Sequence, residues 1–189
     1  HLKAEQLDDS SGNFGMFVDS LYCGWIKARQ AAGSDADETA RILLDRMEND
    51  PYGFAYDLDR DAVKVMDKDG LAAFERAVRG RFEAKDVTEQ ASERAHRRDP
   101  AYARRRWGEV LRAVYTQQGD VRGYVALCEQ TELSAQDCLV VAGMLKGRRK
   151  PDEALAWVDR GLVFGKKQPH GSSEYDLAKM KRELLVKLG

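Results

Sequence analysis

Apolar residues recur along this chain at intervals of three and four, the spacing of one face of an α-helix, and no convincing run alternates with the period of a strand. Segment 14–31 places Phe14, Phe17, Val18, Leu21, Trp25 and Ala28 on one stripe, widened by Tyr22 and Ile26, and Gly33 stops it. An apolar face that broad predicts packing on two sides. The next helix opens at Ser34-Asp35, where side-chain oxygens can cap free amides and Asp37 and Glu38 suit the positive end of the helix dipole. Its stripe is Ala36, Ala40, Leu43, Leu44 and Met47, and Asn49-Asp50-Pro51 ends it.

After an aromatic-rich connector at 52–58, a short helix is expected near 59–67 and a longer one over 70–84, built on Leu71, Phe74, Val78 and Phe82. Further helices are expected at 100–118, 120–131, 134–147, 151–164 and 174–188, with a loop at 165–173. Pro100 and Pro151 fall where proline is tolerated, in a first helical turn. Trp25, Trp107, Leu111, Val158 and Leu184 are expected core positions, each on its own stripe. Segment 86–98 offers only Val87 and a few alanines for burial. It cannot offset its ordering entropy and is expected to be the least stable part, cut first by proteases near Arg94–Arg98.

The class is therefore all-α. A weak internal repeat refines it: Trp107 matches Cys138, Gly123 matches Ala154 and Leu127 matches Val158, each 31 residues on. That period lies near the 34 of tetratricopeptide (TPR) hairpins. Ala142, Ala154 and Gly161 are small where helices of a hairpin, and of the next hairpin, must approach closely, with Leu145 and Val158 as the bulk between them. The expected architecture is antiparallel helical hairpins stacked as a TPR-like α–α superhelix. Its expected parts are an N-terminal helical part (1–85), a polar linker or exposed helix (86–99) and TPR-like hairpins (100–189), together one continuous array.

Composition narrows the function. Lys+Arg 31 against Asp+Glu 32 leaves a net charge of -1, which excludes a strongly basic nucleic-acid binder or an acidic tail as a description of the whole chain. Charged residues make up 33%, so the exterior is heavily solvated. No apolar run is long enough for a membrane helix. The opening HLKAEQLDDSSG has neither an initiating Met nor an apolar leader core, as expected of a chain that starts inside a longer one. Cys23, Cys128 and Cys138 are odd in number and lack metal-ligand spacing, so reduced thiols in a cytoplasmic protein are expected, with no metal site.

Candidate chemistry mostly fails on its own terms. Asp57-Leu58-Asp59-Arg60-Asp61 opens like a calcium loop, but Ala62 and Lys68 stand where that loop needs its turning glycine and bidentate glutamate. His1, His96 and His170 lie at the terminus or in polar segments, without the packed surroundings a catalytic base needs. No phosphate-binding glycine loop occurs, so no cofactor is expected. Basic clusters at Arg79/Arg81, Arg97-Arg98, Arg104-Arg105-Arg106, Arg148-Arg149-Lys150 and Lys166-Lys167 could contact phosphates. Glu75 before Arg79 and Glu109 beside Arg105 and Arg112 instead read as intrahelical pairs on solvated faces.

The favoured role is a protein-interaction or scaffold module. First helices of stacked hairpins tend to line the concave side, so the partner face is expected on Tyr102, Arg105 and Arg112 of one helix and Gln136 and Lys146 of another. Its positive bias suits an acidic peptide or protein surface. The rival role is an accessory domain of an enzyme, with a small polar site from Asp8, Asp9 and Ser10 together with Asp50 and Tyr52, or a weak nucleic-acid-associated module. Capping and Asx-turn hydrogen bonding account for the same polar residues without any catalysis.

Five stretches occur in a fixed order: LDDSSGNFG (7–15), ENDPYG (48–53), DGLAAFERAVRGRFEA (69–84), GDVRGYVALCEQ (119–130) and GRRKPDEALAWVDRGL (147–162). Together they resemble an uncharacterised bacterial family of all-helical proteins, related segments of which follow SWIM-type zinc fingers. The resemblance implies a helical-repeat architecture and no established activity or catalytic residues. The zinc ligands of such a finger, CxCx(n)CxH, are absent from this chain.

Overall fold

The computed structural model describes residues 13–50, 58–84, 100–165 and 173–188. The polar segment 86–98, with its expected early proteolysis, lies outside the described residues. The described secondary structure is entirely helical: α1 (Asn13–Ala31), α2 (Ala36–Glu48), α3 (Leu58–Val65), α4 (Lys68–Glu83), α5 (Pro100–Gln118), α6 (Val121–Gln130), α7 (Ala135–Gly147), α8 (Pro151–Gly165) and α9 (Ser173–Leu188). The chain divides into two compact units, at Gln117/Gln118.

Helix ends follow the capping chemistry of the sequence. Asp35, Asp67, Asp120 and Ser134 each accept a hydrogen bond from the amide three residues on, at the starts of α2, α4, α6 and α7. Asp67 explains why α4 begins before Gly70: the aspartate captures the Gly70 amide, so Gly70 lies inside the first turn rather than ahead of it. At the other ends, Gly33 and Gly119 adopt the left-handed conformation that terminates a helix, and so does Arg149, at φ 60°.

In the first unit, α1 and α3 run in the same direction. Near the end of α1, the Gln30 side chain donates to Val65 O at 3.1 Å and accepts from Asp67 N at 2.7 Å, while Cys23, two turns earlier, lies beside Asp61. α2 and α4 are also parallel. Thr39 and Ala40 at the start of α2 face Asp69 and Gly70 at the start of α4, and Glu48 at the end of α2 pairs with Arg81 at 2.7 Å. Between them lie Leu43, Leu44, Met47, Phe74, Val78 and Phe82, all buried. α5 runs antiparallel to α4: Gly108 abuts Phe82, while Tyr115 reaches Glu75 and Arg79.

In the second unit, α7 and α9 are parallel: Ser173 meets Gln136 at 2.8 Å and Lys146 meets Glu183 at 2.6 Å. α8 lies antiparallel to both, with Lys181 pairing with Asp159 at 2.7 Å. These helices approach closely at Gly161, where a Cβ would sit 2.9 Å from Cys138 Cβ and from both Leu177 methyls. The small residue expected at a close helix approach is there for that reason. α6 is antiparallel to α7, with Tyr124 donating to the buried Asp137 at 2.8 Å and Arg148 donating to Gly119 O at 2.6 Å.

Trp107, Leu111, Val158 and Leu184 are buried as expected, but Trp25 is only half-buried. The reading of α1 needs the larger correction. Its stripe is not packed on two sides: Phe17 and Leu21 are 57% and 56% exposed, and the buried residues of the helix are Asp19 and Ile26. The inner face of α1 is set by what α3 offers, namely Leu58, Ala62 and the chain after Val65, and that face includes Gln30 and Cys23 rather than Phe17 and Leu21. Among the described residues no helix is long and apolar enough to cross a membrane.

Candidate partner-binding surfaces

The first unit holds a cleft of about 380 Å³ where the end of α1, the start of α2 and the α3–α4 junction converge. Its apolar floor comes from Ile26, Ala40 and Met66, all buried, and its polar rim from Ser34, Thr39, Asp67 and Asp69. Gln30 fixes one wall by bridging α1 to the backbone on either side of Met66. The opposite wall is fixed by Arg29, which donates to Thr39 Oγ1 at 2.8 Å and pairs with Glu38 at 2.5 Å. With Arg29 held by Glu38, the exposed carboxylates of Asp67 and Asp69 set the sign of the mouth. The cleft has the chemistry to take a cationic side chain with an aliphatic stem.

The second unit has a smaller crevice of about 120 Å³ between α6 and α8, lined by Val125, Cys128, Glu129, Leu133, Trp157 and Arg160. Arg160 stacks over the Trp157 ring at 4.9 Å. The crevice presents one charge of each sign and fits a small side chain at most.

The residues singled out in the sequence are distributed between the units. Tyr102 lies in α5, its side chain outside the described ones, and Arg105 is exposed. The Arg112 side chain is only 14% exposed and pairs with Glu109 at 3.4 Å, so it supports the helix surface more than it projects from it. In the second unit Gln136 and Lys146 hold α9 through Ser173 and Glu183. Their polar ends serve the α7–α9 seam. Asp8, Asp9, Ser10 and Tyr52 lie outside the described residues, and Asp50 is half-buried just past α2. Asn49, its neighbour, caps α2 by donating to Asp45 O at 2.9 Å, a structural use of that polar turn.

Most described members of the basic clusters are engaged. Arg79 contacts Glu75, Glu83 and Tyr115; Arg81 binds Glu48, which holds its guanidinium above the ordinary value. Arg104 lies over Phe82, and Arg106 donates to Met47 O at 2.8 Å and lies over Trp107. Arg148 is bound to Gly119 O and Lys150 to Glu153. Asp59 and Asp61 sit in the first turn of α3, Asp61 pairing with Lys64 at 2.7 Å. Among the described residues no group of three His, Cys, Asp or Glu side chains is arranged to hold a metal. Burial raises the Cys138 thiol, and burial with Asp61 and Asp19 raises Cys23, so neither is an activated nucleophile.

One feature escaped the sequence reading. Asp137 is 4% exposed, yet it closes a capping box with Ser134 and accepts from Tyr124 across the α6–α7 interface. The Ser-x-x-Asp spacing was the available signal, and it announces only the cap.

No curated protein and no solved structure matches the chain. A family model does match, over residues 4–189, and the chain belongs to the family of unknown function DUF6880.

Proposed function

We propose that this chain is a helical-repeat module that binds another protein. The observation that carries the reading is the pairing of alternate helices in the same direction: α1 with α3, α2 with α4, and α7 with α9. An antiparallel helix between two parallel ones, repeated along a chain, is how stacked helical hairpins of the TPR type are built, and such stacks serve as binding scaffolds. The recurrence of a left-handed terminator at Gly33, Gly119 and Arg149, after α1, α5 and α7, supports the same repeat. Cys23, Cys128 and Cys138 form no disulfide, which suits a reducing cytoplasmic setting.

Within this reading the cleft between α1, α2 and α4 receives a lysine or arginine of the partner. The stem would lie on Ile26, Ala40 and Met66 and the charge at Asp67 and Asp69. Exposed Arg105 on α5 remains the place for an acidic segment. Affinity capture from the host, with the chain and its Asp69→Lys and Arg105→Glu variants as parallel baits, tests the proposal. The expected result is a specific protein partner lost with Asp69→Lys. Loss with Arg105→Glu alone would move the site to α5, and the absence of any specific partner would contradict the module.

A further inference from the structure

We propose that two copies of this chain pair through the outward face of α1, antiparallel, about a twofold axis. α1 turns Asp19 and Ile26 inward, with Tyr22, Cys23 and Gln30 half-buried around them. On its other side Met16, Phe17 and Leu21 are each more than half exposed, and Gly24, Ala28 and Ala31 are exposed as well. With the half-buried Phe14 before them, the positions run Phe14, Phe17, Leu21, Gly24, Ala28, Ala31, alternating steps of three and four. That is the seam of a coiled coil.

The order of sizes along the seam specifies the partner. The first three residues are large and the last three small. A second copy laid antiparallel, with the axis between Tyr22 and Cys23, sets Phe14 against Ala31, Phe17 against Ala28 and Leu21 against Gly24. Every layer then joins one large and one small side chain, so packed volume stays even along the helix. The space is available: a Cβ at Gly24 would meet nothing within 4 Å. A parallel pair would instead crowd Phe on Phe at one end and leave Gly on Gly in the middle.

The flanking positions agree. The positions flanking the seam are Asn13, Ser20 and Lys27 on one side and Val18, Trp25 and Ala32 on the other, and the same axis sets Ser20 near Lys27 and Val18 near Trp25. In a chain that is 33% charged, Lys27 is the single charged residue among these six flanking and six seam positions. Its neighbour across the seam is the neutral Ser20, so no like charges meet. A patch related to itself by a twofold closes as a dimer and goes no further. The 19 residues of α1 span about 28 Å, which places the contact near the ~1,000 Å² lower bound for a specific interface and makes it reversible.

Sedimentation equilibrium of the full chain, from low to high micromolar, tests the pairing without involving the cleft. The wild type is expected to show a monomer–dimer equilibrium. Leu21→Glu puts a carboxylate in each central layer and should leave a monomer at every concentration, with helicity and, in dilute solution, melting unchanged because the side chain points outward. Phe17→Ala and Ala28→Phe should each weaken the dimer by about tenfold, one by a cavity and one by overpacking. Combined, they restore one Phe and one Ala to the layer and should return the affinity to near wild type. A wild type that is monomeric throughout, a dimer that survives Leu21→Glu, or a double variant weaker than both singles would overturn the proposal. Should Ala28→Phe not fold, Leu21→Glu and Phe17→Ala still decide it.

Discussion

α1 and α7 are both rich in apolar residues, and both end in a left-handed residue followed by a turn into an antiparallel helix. They differ in what surrounds them. α7 has α6, α8 and α9 against it, and Cys138, Val141, Ala142 and Leu145 are all buried. α1 packs on α2 and α3, and its remaining apolar side faces outward. Hydrophobic periodicity reports which faces of a helix shun water but not whether a neighbour has been supplied within the chain. A helix packed on all sides and one packed on some therefore read alike until their surroundings are seen.

The sharpest way to break this comparison is to truncate a tryptophan on each kind of surface. Trp107, 6% exposed, should lose about 3–5 kcal/mol of stability on replacement by Ala. Trp25, only half-buried at the flank of the α1 seam, should lose no more than about 2 kcal/mol. Urea denaturation of dilute, monomeric protein checks both, and equal losses would mean that the outer side of α1 is already covered within one chain.

Glycines sharpen it next. Gly161→Ala drives a methyl into Cys138 and Leu177 and should cost about 1–3 kcal/mol. Gly24→Ala, with open space around it, should gain about 0.5–1 kcal/mol in the monomer through helix propensity. Melting temperatures moving in the same direction for both would contradict the assignment of the two faces.

The helix ends give a smaller effect. Gly33 and Arg149 hold the same left-handed conformation at φ 65° and 60°. Gly33→Ala should cost about 1 kcal/mol, and Arg149→Gly should gain between ~0.4 and 1 kcal/mol. Thermal denaturation of the two variants is the check.

The smallest effect is electrostatic. Glu183 is exposed, and its hydrogen bond and charge interaction with Lys146 hold its pKa below the ordinary 4.5. A depressed carboxylate stabilises the fold above its unfolded value, and that contribution is lost as pH falls through the lowered one. Amide protection in α9, once the intrinsic pH dependence of exchange is divided out, should therefore fall slightly on acidification into that range, and Glu183→Gln should abolish that fall.

Much of this fold was legible because its determinants are local. Apolar spacing located the helices, and Asp35 and Pro151 marked starts. Gly161 and Ala154 announced close approach because only small residues permit it. The candidate surfaces were less legible, since they depend on residues distant in sequence. Gln136 and Lys146 looked like an exposed face until α9 was seen to use them. The cleft is shaped by Gln30, a polar residue on a helix, whose bridge to the α3–α4 junction no spacing rule foretells. The buried Tyr124–Asp137 bond is of the same kind.

The parallel course of α7 and α9 is the claim on which the repeat reading rests, and thiol cross-linking measures it directly. In a chain with Cys23→Ser, the substitutions Lys146→Cys and Glu183→Cys replace a pair now 2.6 Å apart. Lys146→Cys combined with Glu174→Cys places the second thiol about 13 Å further along α9. A short bifunctional reagent should join 146 to 183 rapidly and 146 to 174 hardly at all. Preferential joining of 146 to 174 would reverse the direction of α9 and contradict the stacked arrangement.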